Sequence, residues 1–116
     1  MSLSFDDVRK MGLALAGVEE STSYGTPALK LRKRLLARLK EDGETLVLRI
    51  GIDEREMLME AAPEAFFITE HYRNYPSVLV RLARVHPKTL ERLLEQAWRE
   101  AAPKRLLSGH GERRSS

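Results

Sequence analysis

The chain has 116 residues, 32% of them charged and 42% hydrophobic, with a formal net charge of +3 at neutral pH. That length and balance describe one globular domain with a modest core and exclude global disorder. There is no cysteine, which removes thiolate metal sites, thiol nucleophiles and disulfides and fits a reducing, cytoplasmic setting. No window approaches the ~18 apolar residues of a membrane span, and the N-terminus lacks the cationic start and apolar run of a signal peptide.

The first predicted helix starts at Ser4, which has capping-box spacing to Asp7, with Leu3 and Val8 placed as a hydrophobic staple. Val8, Met11, Leu13 and Leu15 supply its apolar stripe, and Gly17 ends it. The acids Asp6 and Asp7 in its first turn answer the helix dipole rather than a catalytic need. Ser21 to Pro27 reads as a hydroxyl-rich connecting loop; a phosphate-gripping cluster is the functional alternative.

From Ala28 the apolar period becomes two, which predicts a three-stranded antiparallel meander to Ile50. Leu29 and Leu31 face one way; Lys30 and Arg32 face the other. Arg32-Lys33-Arg34 makes the first turn, after which Leu35, Ala37 and Leu39 point inward while Arg38 and Lys40 point out. Glu41-Asp42-Gly43 closes the second turn, and Leu46, Leu48 and Ile50 continue the inner face. Residues 24–40 thus carry six bases and no acid, whereas residues 41–70 hold nine acids against Arg49 and Arg55. A small net charge therefore conceals a basic strip that phosphates would recognise. Pairing with the acidic block is the competing reading.

Asp53 and Glu56 have capping-box spacing for a second helix running to about Ala62, with Ile52 and Met57 as its staple and Met57, Leu58 and Ala61 as core candidates. Phe66 to Leu82 holds four of the chain's seven aromatic residues and its only Asn. It parses as a short apolar run, a polar aromatic loop from Glu70 to Pro76, and an alternating strand from Val78 to Leu82. A third helix begins at Pro87 with His86 as N-cap, presents Leu90, Leu93, Leu94, Ala97, Trp98 and Ala101 on one stripe, and stops before Pro103. Lys104 and Arg105 follow its C-terminus, and 108–116 is a polar tail. His71, His86 and His110 lack metal-ligand spacing, and no phosphate-binding glycine loop or serine elbow occurs. Neither a metal, a cofactor nor a catalytic residue is expected, and the chain reads as a non-enzyme.

Four segments, Ser21–Lys30, Pro63–Thr69, His71–Leu82 and Ala97–Leu106, together resemble the MmcQ/YjbR family over roughly residues 5–107. The Tyr-Pro before a Val-Leu-Val strand and the Trp followed by Ala-Pro-Lys-Arg are its more specific marks. The resemblance implies an α+β single domain, residues 1–107, with an antiparallel sheet of about five strands, three helices and a frataxin-like (CyaY-like) arrangement. It also implies a DNA-binding protein with a double-wing motif. This chain departs from the pattern at Arg32-Lys33-Arg34, where a turn glycine is expected. On this reading DNA phosphates meet Lys30, Arg32, Lys33, Arg34, Arg38 and Lys40. A second contact surface comes from His71, Tyr72, Arg73, Asn74 and Tyr75, with Lys104 and Arg105 adding charge. The alternative is a small-ligand or protein-binding module with a pocket beneath the Tyr72–Tyr75 loop.

Overall fold

The computed structural model describes residues 2–104; Arg105, His110 and the 108–116 tail lie outside them. Helix α1 (Phe5–Leu13) leads into strands β1 (Val18–Ser23), β2 (Thr26–Leu31), β3 (Arg34–Leu39) and β4 (Thr45–Arg49). Helix α2 (Ile52–Ala61), the two-residue β5 (Phe66–Phe67), a 3-10 turn at Glu70–Tyr72, β6 (Ser77–Arg81) and helix α3 (Pro87–Ala101) follow among the described residues. The fold is α+β: a six-stranded antiparallel sheet in the order β1-β2-β3-β4-β6-β5, with helices layered on one face.

The core lies between that layer and the inner face of the sheet. Leu29 and Leu31 on β2, Leu46 and Leu48 on β4, and Val78 and Val80 on β6 meet Leu90, Leu93, Leu94 and Trp98 of α3, all buried. Trp98 is fully buried, and its indole N–H donates to the Ala16 carbonyl at 2.7 Å, so its polar edge is satisfied inside the core. α1 has the Ser4–Asp7 capping box, and the His86 ring caps α3 by accepting from the Lys88 N–H.

Four sequence expectations need correction. The sheet expected at about five strands has six, the addition being Val18–Ser23, whose last three residues were expected to open the Ser21–Pro27 loop; as an edge strand it buries only Val18, so it carries no alternating signal. Leu35 does not point into the core. The β2–β3 register jumps from Leu29–Ala37 to Lys30–Leu35, a bulge that leaves Leu36 as the extra residue and turns it inward instead. α2 starts at Ile52 with Gly51 as N-cap, not at Asp53, and Met57 is 69% exposed, with Ala61 also exposed. On α1, Leu13 is exposed.

The β3–β4 turn is fastened by Asp42, whose carboxylate accepts from the backbone N–H of Glu44 and from the N–H and hydroxyl of Thr45. These bonds, the Glu44 one foremost, hold its carboxyl below the usual carboxylate range.

Candidate functional site

Because the three α-helices of the described residues lie on one side, the opposite face of the sheet is covered, among those residues, only by what loops over it. Alternation along the strands puts Lys30, Leu35, Arg38, Val47, Arg49, Leu79 and Arg81 on this open face, with Leu79, Val47, Arg38 and Ala28 in one cross-strand row. Residues 69–76 fold back across it. What holds them there is Arg55, on α2. Its guanidinium is buried, and Nη1 donates to the carbonyls of Tyr72, Tyr75 and Ser77 at 3.1, 2.8 and 3.2 Å while Nη2 donates to Arg73 at 2.9 Å. The nearest carboxylate, Glu56, is 3.9 Å from Nε. A single cation therefore gathers three carbonyls of the loop and that of Ser77 at the start of β6, and sets the position of the loop's aromatic rings.

Beneath the loop is a cavity of about 460 Å³, lined by Tyr24, Arg38, Glu41, Val47, Tyr72 and Tyr75 among others. Arg38 is its cationic floor and is only 7% exposed. Its Nη2 donates to the Tyr72 hydroxyl at 3.3 Å, and its Nη1 to Thr26 Oγ1 and the Leu39 carbonyl at 3.4 Å each; these are long, weak contacts. The Tyr24 ring centroid lies 5.0 Å from the guanidinium, and Lys40 Nζ lies 5.7 Å from the centre of the Tyr72 ring, both within cation–π reach. His71 packs edge-on to Tyr72 and tilted against Tyr75, so three rings of the loop form one cluster.

The predicted site residues are divided between two places. Arg38, Lys40, His71, Tyr72 and Tyr75 come together at the cavity, and Lys30 shares the face. Arg32, Lys33 and Arg34 sit at the other end of the same hairpin, roughly 13 Å from Arg38 along the strand by its rise per residue. Arg34 faces the helix side there, where it and Arg32 border Ala102 and Pro103, next to Lys104. Arg73 is exposed and paired with Glu70 at 2.9 Å, and Asn74 is exposed on the loop. Among the described residues, no group of three or more His, Asp or Glu side chains is placed to hold a metal ion.

Sequence reasoning missed Arg55, and reached Tyr24 only within the alternative reading of Ser21–Pro27 as a phosphate-gripping cluster. Tyr24 is 84% exposed in a left-handed conformation, φ 54°, followed by Gly25 at φ 78°; this is the turn geometry that matches strand twist, and its residue type is not one that favours it. Arg55 left a detectable trace, a base in the first turn of a helix among acids, where the helix dipole opposes a cation.

A small α+β domain with a one-sided helical layer and a basic, aromatic-rimmed open face is the class these observations define. The sequence profile of the YjbR family matches residues 13–100, and the chain belongs to that family. An uncharacterised protein of Mycobacterium tuberculosis strain H37Rv, Rv2570, and one of Mycobacterium bovis, Mb2600, are each 44% identical over 50 residues, or 43% of this chain and 39% of each relative's length. The crystal structure of Deinococcus radiodurans protein DR2400, with a DUF419 domain, matches with a TM-score of 0.72 at 22% identity, covering 93% of this chain and 88% of that one. That likeness is one of fold. No helix among the described residues is long and apolar enough to cross a membrane.

Proposed function

We propose that the chain is a non-enzymatic, cytoplasmic DNA-binding domain that uses the open face of its sheet. The observation that carries this reading is that Lys30, Arg38, Lys40, Arg49 and Arg81 share one face, which no α-helix of the described residues covers. The β1–β2 turn with Tyr24 and the 69–76 loop flank Arg38 and Lys40 as two wings. Phosphates contact the bases, the wings set register, and Asn74 is the loop's one amide for a base edge. Arg32, Lys33, Arg34 and Lys104 serve as an outlying backbone anchor. The cavity favours a second reading, a small-ligand module.

Fluorescence anisotropy with duplex and single-stranded DNA across a salt series tests the proposal. About four phosphate contacts give a log–log slope of roughly −3 to −4. Replacing Lys30, Lys40 and Arg49 together by Ala shallows it by about 2–3 units. No binding at low salt, or a slope that the triple variant leaves unchanged, overturns the assignment.

A further inference from the structure

We propose that the cavity between Tyr24 and the Tyr72–Tyr75 loop holds one unpaired nucleotide, its base against the tyrosines and its phosphate on Arg38 in the place now taken by Glu41. This deepens the proposed function and rests on it for the strand that would deliver the nucleotide.

The argument begins with an under-compensated charge. A guanidinium taken from water needs an anion or a set of short hydrogen bonds; Arg55 has four, at 2.8–3.2 Å, whereas among the described residues Arg38 hydrogen-bonds only to two neutral hydroxyls and a carbonyl, all at 3.3–3.4 Å. The one carboxylate within 4 Å among the described residues is Glu41, with Oε2 at 3.6 Å from Nη1 and a side chain 64% exposed. That separation exceeds the ~2.7–2.9 Å of a charge-assisted hydrogen bond. Glu41 therefore neutralises Arg38 loosely, from a mobile-length side chain that a better anion can displace. Lys40, against Tyr72, offers the same anion a second cation.

The rest of the cavity specifies what accompanies the anion. Tyr24 and Tyr75 are 84% and 54% exposed and border the cavity from two separate elements, so each offers a ring to a flat partner. Val47 and Pro76 add apolar lining. A volume near 460 Å³ falls in the usual range for a small-molecule site and is far too confined for a duplex. A flat, stackable ring joined to a phosphate is a nucleotide, supplied either by single-stranded DNA or as the free molecule.

Calorimetric titration with thymidine, thymidine 5′-monophosphate and a short oligothymidylate tests this on the full chain. Two surface variants avoid disturbing the core. Glu41→Gln removes the competing carboxylate. It should tighten the phosphate-bearing ligands about two- to fivefold, the size of one partly exposed ion pair, without affecting thymidine. Tyr24→Gly removes a ring while relieving a left-handed backbone, and should weaken both phosphate ligands roughly tenfold. If the oligonucleotide binds with a steep salt slope but neither variant changes its affinity, the pocket proposal fails and the open-face reading stands. If only the monophosphate binds, and Glu41→Gln tightens it, the pocket stands with a free nucleotide as its ligand and single-stranded DNA is excluded as its source. If neither phosphate ligand binds, the pocket proposal falls, and the DNA reading is decided by the duplex arm of the salt series.

Discussion

Tyr24 and Arg32 both hold a positive φ, 54° and 59°, although neither is glycine, and among the described residues only Tyr24 has a ring or charge contact. Tyr24 lays its ring beside Arg38. Arg32 is exposed at a hairpin tip, where its backbone costs about 1–2 kcal/mol against the right-handed alternative. Glycine there forfeits roughly 0.5–1 kcal/mol of chain entropy, so Arg32→Gly should raise stability by about 0.5–1 kcal/mol, read as a higher urea midpoint with unchanged m-value. A lower midpoint would show that the Arg32 side chain makes a stabilising contact. The family resemblance already marked this turn as one where glycine is expected.

At the level of elements, α2 and the 69–76 loop are joined through one side chain. Arg55→Met keeps the apolar stem but removes the cation from four carbonyls, and should cost about 2–3 kcal/mol. Amide hydrogen exchange over residues 72–77 should accelerate while α3 stays protected; unchanged exchange in that loop would deny Arg55 its anchoring role. Such a link was hard to read beforehand. α1 and α3 follow from a 3.6-residue stripe of apolar side chains, but α2 buries a guanidinium and, of Met57, Leu58 and Ala61, packs only Leu58 against the core. Adjacent leucines hid the bulge at Leu36, since either one satisfies a two-residue period. β1 was obscured because an edge strand with one solvated row needs few apolar residues.

Across the whole molecule, stability is concentrated on one side of the sheet. Trp98→Ala opens a large cavity at the helix–sheet junction and leaves the Ala16 carbonyl without its indole donor; a loss of about 3–5 kcal/mol is expected. A loss below about 1 kcal/mol in denaturant unfolding would contradict its placement in the core. The core composition was legible because burial selects apolar side chains position by position. The site was legible only in its parts: the basic strip and the aromatic loop stand out in the chain. Their meeting at Arg38, and the separation of Arg34 from it, depend on strand register.

The one-sided helical layer also divides the chain's freedom to change. Inward positions such as Leu46, Leu48 and Val78 answer to packing and tolerate little beyond similar volumes. Their neighbours Val47, Arg49 and Ser77 answer mainly to whatever the open face contacts. Divergence in a fold of this kind can therefore exchange one recognition chemistry for another along alternate residues, while the scaffold keeps its shape.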